Sequence, residues 1–482
     1  MSSKTDLHDL SATQLLELYR RKSISPVDVV GAVFDHIGRW EPSLRATYAL
    51  SPATALVAAR ASEARWRRGE PIGALDGVPA MIKENIATKG VPVPLGTAAS
   101  ELTPAASDAP PAARMREAGA VILGKTTMPD YGMLSSGLSS FHPLTRNPWD
   151  LSRNPGGSSA GAGAGAAAGY GPLHLGTDIG GSVRLPAGWC GIFTLKPSLG
   201  RIPIDPPYIG RVAGPMTRTV ADSALLMSVL SQPDERDHMS LPYQPYQWQK
   251  LDRPVRGLKF GLLMDCGLGL PVEPEIRDAV EAAARCFEAA GAIVEPMKPF
   301  LTKPMLDGLD RFWRMRSWAD LSTLSEGRRA KVLPFIVDWA RAAADLSGME
   351  LFQGFSQIMV MRAAANAACR PYDYVLSPTA PVPAFAAAWP CPTNDPSRPF
   401  EHIGFTVAFN MSEQPAASIN CGYTSGGLPI GLQIAGKRFD DLGVLQVARA
   451  YEAMRPAQRR WPTPPDGATV ADGPQGFPEL MA

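Results

Sequence analysis

The segment from Gly156 to Gly171 reads GGSSAGAGAGAAAGYG. Apart from Tyr170, no side chain in it is larger than a hydroxymethyl group. A stretch with so little bulk cannot hold itself in place. It is stable only where other elements close in on its backbone, an approach that glycine permits. It is also too short and too weakly apolar to span a membrane. The run therefore predicts a helix packed hard against its neighbours in a large interior.

The rest of the chain can supply that interior. Of its 482 residues, 45% are hydrophobic and 19% charged, the balance of a globular protein with a sizeable core. Helical and strand patterns alternate along it. Ser11 with Gln14 forms a capping box ahead of Leu15, Leu16 and Leu18. Ser25-Pro26 opens a second helix, with proline at its first position, and residues 53–68 read as a third. VPAMI (78–82) reads as a buried strand ending at Lys83. A helix led by Pro110-Pro111 stops near Gly119, and AVILG (120–124) is the next strand. LKFGLL (258–263), a helix from Pro274 to Ala290 and AIVEPM (292–297) repeat the unit. A mostly helical stretch over 305–370 precedes the strand YDYVLS (372–377). This alternation predicts an α/β fold. Residues 232–257 read as a long polar surface connection and 378–398 as a proline-rich loop. The tail from Trp461 onward is expected to pack loosely or not at all.

Charge and cysteine usage narrow the function. A net charge of +1 gives no support for nucleic-acid binding or electrostatic attachment to a membrane. Cys190, Cys266, Cys286, Cys369, Cys391 and Cys421 are dispersed and form no CxxC pair. Neither a zinc site nor a disulfide framework is expected, and a reducing cytoplasm fits. The N-terminus lacks the apolar core of a signal peptide, and no uncharged apolar run reaches the length of a membrane span. No histidine–cysteine or carboxylate cluster has ligand spacing, so no metal or organic cofactor is expected.

The chemistry concentrates in two serine segments, GGSSAG (156–161) and GTDIGGSVR (176–184). Gly157-Ser158-Ser159-Ala160-Gly161 matches G-x-S-x-G, an esterase nucleophile elbow centred on Ser159. That motif requires a strand immediately before it and an acid and a histidine after it. Arg153-Asn154-Pro155-Gly156 precedes it instead, and only His174, His238 and His402 follow. Gly163 to Ala168 fits the dinucleotide pattern G-x-G-x-x-G/A but lacks its strand and its acidic partner. The remaining possibility joins distant segments, with Ser182 as nucleophile and Lys83 as base. Burial of a lysine disfavours its charged form. A neutral lysine can take the proton that histidine usually takes. On the residues alone, an exposed or salt-bridged lysine at a strand end is the more ordinary reading of Lys83, because lysines are seldom buried.

The long run GGSSAGAGAGAAAGYGPLHLGTDIGGSVRLPAGWCGIFTLKPSLGRIP (156–204) resembles the amidase signature family. So do LDGVPAMIKENI (75–86), GKTTMPDYG (124–132), NPWDLSRNPGGSS (147–159) and the ending FTVAFNMSEQPAASINCGYTSGGLPIGLQIAGKRFDD (405–441). The resemblance spans about residues 5 to 455, with the motifs in family order. It implies one domain over 1–482, built on a large mixed, mostly parallel twisted sheet with helices on both faces. It also implies a triad without histidine: Ser182 as nucleophile, Ser158 after a cis peptide bond as the bridging serine, and Lys83 as the terminal base. The backbone N–H groups of Ile179, Gly180, Gly181 and Ser182 would form the oxyanion hole. Ser159, Asp178 and Arg184 would support the loop. Two positions depart from the common pattern, Ala160 after the paired serines and Glu84 after the lysine. Neither removes a reactive group.

The same resemblance leaves the substrate open. The family holds amide hydrolases, aryl acylamidases, carbamate-cleaving enzymes, fatty acid amide hydrolases and the glutaminase subunits of tRNA-dependent amidotransferases. Those subunits hold the glutamine ammonium with an acidic residue near the position of Ile403. An apolar residue there favours a free-standing hydrolase of a small-molecule amide, as a monomer or homodimer. Gly132 and Met133 fall where relatives line the substrate channel. The aromatic residues of 305–360, among them Phe312, Trp313, Trp318, Phe335, Trp339, Phe352 and Phe355, either roof the cleft or fill a helical core.

Overall fold

The computed structural model describes residues 6–465. Its strands are β1 (Thr47–Tyr48), β2 (Pro79–Lys83), β3 (Val121–Thr126), β4 (Leu173–Asp178), β5 (Phe193–Lys196), β6 (Val212–Thr217), β7 (Lys259–Leu262), β8 (Ile293–Pro296), β9 (Tyr374–Pro378), β10 (Ala416–Tyr423) and β11 (Pro429–Ala435). They form one sheet of 11 strands in the order β1-β3-β2-β4-β6-β5-β10-β11-β9-β7-β8. The sheet is large and mixed, as expected, but it is not mostly parallel. Only β2 with β3 and β4, and β7 with β8 and β9, pair in parallel. The other neighbours are antiparallel and occupy the middle and one edge of the sheet. The connections explain part of this. A short return over 424–428 joins β10 to β11, whereas parallel strands need a crossover element between them.

Helices cover both faces. Side chains alternate between faces along a strand, and the sheet sorts its residues accordingly. On β9, Tyr374 and Leu376 enter one hydrophobic core and Val375 the other. On β10, Ala417 and Ile419 enter the first and Ala416 the second. The first core includes residues of the helices Ala12–Arg20, Pro26–Leu44, Pro52–Arg68, Val220–Leu230, Pro274–Ala289 and Asp441–Met454. The second includes residues of Lys303–Ser322, Pro334–Arg341, Gly348–Cys369 and Gly404–Met411.

The small-residue run forms the helix Ala160–Ala168, every residue of which is buried. A Cβ on Gly161 would stand 2.2 Å from the carbonyl oxygen of Ala46. No residue larger than glycine fits there, which is the close approach the sequence predicts. The dinucleotide-like glycines lie within this helix rather than in a strand-to-helix turn. The capping box at Ser11 and the helix start at Ser25-Pro26 form as expected. The connection over 232–257 is irregular, yet Trp248, Leu251 and Val255 bury themselves along it. The expectation of a loose tail fails at its first residue. Trp461 packs beside Trp149 and under the Arg218 guanidinium, which lies 4.5 Å from the ring centre. A cation over an indole face is attractive. The rest of the tail, from residue 466, lies outside the described residues.

Candidate active site

Three chain segments converge at the ends of β2 and β4. Lys83 is the last residue of β2 and is fully buried. Its Nζ lies 2.8 Å from Ser158 Oγ, 3.0 Å from Ser159 Oγ and 3.0 Å from Thr177 Oγ1. Thr177 is on β4, and the paired serines lead into the small-residue helix. The Gly157–Ser158 peptide bond is cis, as the resemblance implies. Burial, and after it the nearby Arg211 guanidinium, holds the Lys83 ammonium pKa well below its ordinary value, against the opposing pull of Asp178 and Glu84. The cause is loss of hydration, which costs the charged form most.

The protons around Nζ can be assigned to partners. The Ser159 hydroxyl donates to the Thr177 carbonyl oxygen at 3.1 Å. The Thr177 hydroxyl faces Asn85, whose Nδ2 donates to it at 3.1 Å. All three hydroxyl oxygens lie where Nζ–H can donate to them. Of the three hydroxyls, Ser158 is the one whose proton is given no other acceptor, so it is the one placed to hand a proton to Nζ when the amine is neutral. The esterase alternative finds no such geometry. No strand immediately precedes Gly157, Ser159 is fully buried against Lys83, and His402 Nε2 is engaged with Ser135 Oγ at 2.7 Å.

Ser182 sits on the turn between β4 and the helix Arg184–Cys190. It is half-buried, whereas Gly181 and Val183 on either side are buried. The Ser159 N–H donates to its carbonyl oxygen at 3.1 Å, which ties the two serine segments together. Asp178 frames the turn. Its carboxylate accepts from the N–H groups of Gly181 (2.8 Å) and Val183 (3.1 Å) and from the Arg184 guanidinium. Burial alone would raise the Asp178 carboxyl pKa; the Arg184 guanidinium overrides it and holds the group below the usual carboxylate range. Arg184 in turn donates to the Thr406 carbonyl oxygen (2.8 Å), Gln433 Oε1 (2.9 Å) and Asn410 Oδ1. The expectation for the oxyanion donors needs one correction. The Gly181 N–H is committed to Asp178, so Ile179, Gly180 and Ser182 remain as candidates.

The surroundings of the loop are apolar. A Cβ on Gly180 would lie 3.2 Å from the Trp313 ring and 3.5 Å from Ile403 Cδ1. The helical stretch over 305–370 therefore does reach the Gly180–Ser182 turn, through Trp313. Its other aromatics divide: Trp339 is core, and Phe352 is 66% exposed and serves neither purpose. Gly132, at φ +69°, brings its backbone against Ser158, since an added Cβ would lie 3.3 Å from Ser158 Oγ. Met133 packs half-buried against the aromatic-rich second core. Thr177, Thr406, Asn410 and Gln433 do not stand out in the sequence. The first lies inside the motif GTDIGGSVR, and the others lie in the run 405–441, where nothing marks the side chains that reach back to Arg184. Among the described residues no group of histidine, cysteine and carboxylate side chains could hold a metal ion, and no helix is long and apolar enough to cross a membrane.

Comparison with known proteins identifies the family. The Amidase family model matches residues 28–445. A glutamyl-tRNA(Gln) amidotransferase subunit from Heliobacterium modesticaldum is 31% identical over 492 residues, covering 95% of this chain and 99% of that protein. Among solved structures, a bacterial aryl acylamidase superposes with a TM-score of 0.86 at 33% identity, over 93% of this chain and 96% of that one. A 6-aminohexanoate cyclic dimer hydrolase superposes with a TM-score of 0.82 at 28% identity, over 95% and 99%. A match across nearly the whole chain, in sequence and in fold, places this protein in the amidase signature family, as a hydrolase of carbon–nitrogen bonds.

Proposed function

We propose that the protein is a free-standing amidase that cleaves a small amide, an aryl amide or carbamate among them, through an acyl-enzyme on Ser182. Ser182 Oγ attacks the carbonyl carbon. Its proton passes to Ser158 Oγ as the Ser158 proton passes to the neutral Nζ of Lys83. The carbonyl oxygen, now negative, is met by the N–H groups of Ile179, Gly180 and Ser182, donors aimed where charge develops. As the tetrahedral intermediate collapses, the carbon–nitrogen bond breaks. The proton returns from Lys83 through Ser158 to the departing amine. Water enters by the same relay and frees the acid.

The observation that carries this reading over a glutaminase subunit is the apolar wall of Trp313 and Ile403 against Gly180. Ile403 is 3% exposed and has no charge to offer an ammonium group. The extensive likeness to amidotransferase subunits favours the second reading, in which the chain releases ammonia from glutamine within a complex. A purified-chain panel of anilides, aliphatic amides, carbamates and glutamine tests the choice. Hydrolysis of anilides or carbamates with glutamine inert is the expected result. Turnover of glutamine alone would establish the second reading.

A further inference from the structure

We infer that the substrate carries an anionic group, a carboxylate in the simplest case, which docks between Arg211 and Arg316 at the side of the nucleophile loop. The inference rests on the reading of Ser182 as an amidase nucleophile and deepens it.

The β4–β6 register ends with Asp178 opposite Val212, and Ile179 and Arg211 are the next residues on the two chains. Arg211 thus adjoins the end of β4 from which the turn carrying Ser182 begins, near enough to act on the Lys83 ammonium. The second arginine comes from the helix over Lys303–Ser322, the same helix that places Trp313 against Gly180. The Arg316 guanidinium lies 4.2 Å from the centre of the Tyr208 ring, and Tyr208 stacks on Phe312. Tyr208 and Arg211 share the end of the connection over 197–211 between β5 and β6.

Neither arginine has a carboxylate within ion-pair distance among the described residues. The hydrogen bond of the Arg211 guanidinium is a long one, 3.4 Å to the Pro206 carbonyl oxygen. The fully buried arginines are paired, Arg184 with Asp178 and Arg201 with Asp441. Burial and the repulsion of Arg316 together lower the Arg211 pKa to about 10. Both arginines are half-buried, and the Asp205 carboxylate acts on Arg211 only from beyond ion-pair distance, so an anion bound between the two guanidiniums would relieve their repulsion. Guanidinium groups suit a carboxylate, because they offer several donors in one plane. With no acid at Ile403 to hold an ammonium, the arrangement fits an anion rather than an amino-acid zwitterion.

Two matched probe pairs test this. N-phenylsuccinamate and butyranilide differ by a carboxylate on the acyl side; 4-acetamidobenzoate and 4-methylacetanilide differ by one on the leaving side. The wild type is expected to favour the charged member of at least one pair by about tenfold or more in kcat/KM, mainly through KM, with the preference shrinking as salt rises. Arg211→Gln and Arg316→Gln should each collapse that ratio, and Arg211→Lys should retain part of it. Equal or better turnover of the neutral member in both pairs overturns the inference. So does a ratio that survives both glutamine variants. If the glutamine variants do not fold, the salt dependence and Arg211→Lys still decide. If no probe is cleaved, the amidase reading fails for these substrates, and calorimetry of probe binding to Ser182→Ala decides the charge question separately. Tighter binding of a charged member supports the inference, and equal binding of both members in both pairs overturns it.

Discussion

Replacing Asp178 by asparagine should damage both stability and catalysis, by amounts that follow from its contacts. Its two carboxylate oxygens serve the Gly181 and Val183 N–H groups, Asn410 Nδ2 and the Arg184 guanidinium, and both ion-pair partners are completely buried. An amide in the same place turns one oxygen into a donor facing other donors and leaves Arg184 charged and unpaired. Breaking a buried pair by changing one partner costs about 3–5 kcal/mol. With an unfolding entropy of ~2.1 cal/mol/K per residue, a chain of this length loses about 3–5 °C in Tm for that cost. The catalytic loss has a different origin. The two N–H groups bracket Ser182, so a loop without this frame misplaces the neighbouring donors. Loss of one oxyanion donor costs about 10²–10³ in rate. Scanning calorimetry and steady-state kinetics on the best substrate measure the two effects. The pH dependence has a definite sign. The folded-state carboxyl lies below its unfolded value, so its stabilisation is present above the ordinary carboxylate range and is lost as pH falls through the lower folded value. The variant should therefore show its full deficit at neutral pH and converge towards wild type in strong acid. A variant that melts like wild type and keeps kcat within tenfold would refute the reasoning about the buried pair and the frame together.

Ser182→Ala should abolish amide hydrolysis with the melting temperature preserved; activity within tenfold of wild type would remove Ser182 from the role of nucleophile. Lys83→Ala should slow amides by orders of magnitude more than activated phenyl esters, because only the amine must be protonated as it leaves. Lys83→Arg should not rescue, since arginine stays protonated, and near-normal amidase activity in that variant would end the proposed relay. Wild-type activity should fall as pH drops through the lowered Lys83 pKa, on a limb well below the ordinary lysine range, and a limb near that range would mean that Lys83 is not the base. Gly132→Ala should reduce kcat, because it combines a left-handed backbone with a Cβ 3.3 Å from Ser158 Oγ; a fully active alanine variant would show that the loop tolerates the shift. Prolonged chelation should leave activity intact, and loss restored by one added metal would contradict a relay built from hydroxyls and an amine.

What the sequence makes legible is uneven, for physical reasons. The outer parallel units are plain, because VPAMI, AVILG and YDYVLS are apolar runs with turn signals at their ends. The middle of the sheet is not. β4, β5 and β6 read LHLGTD, FTLK and VAGPMT, mixed with glycine, proline and polar groups, although every residue in them is buried. They are stabilised by neighbours on both sides rather than by their own hydrophobicity, and no periodicity reports that. The antiparallel bias of the sheet escapes notice for the same reason. In the site, Lys83, Ser158 and Ser182 emerge because motif resemblance carries them. Their environment does not, because a hydroxyl such as Thr177 looks like any loop threonine until its strand sits beside the lysine. Arg211 is the clearest case: its place beside the end of β4 follows from the β4–β6 register, which no local window contains.

The reach of Arg184 bears on how the protein is made. Its guanidinium closes on Asn410, Thr406 and Gln433, side chains and backbone contributed more than 220 residues later in the chain. During synthesis, Lys83, Ser158 and Ser182 leave the ribosome long before those partners exist. Contacts of such sequence separation form late, after their loop-closure cost is met. A nascent chain therefore carries Lys83, Ser158 and Ser182 with the Asp178–Arg184 pair already formed locally but with the far side of the Arg184 guanidinium unsatisfied, until the helix Gly404–Met411 and β11 dock. The turn that holds Ser182 is locked from both sides only in the finished chain.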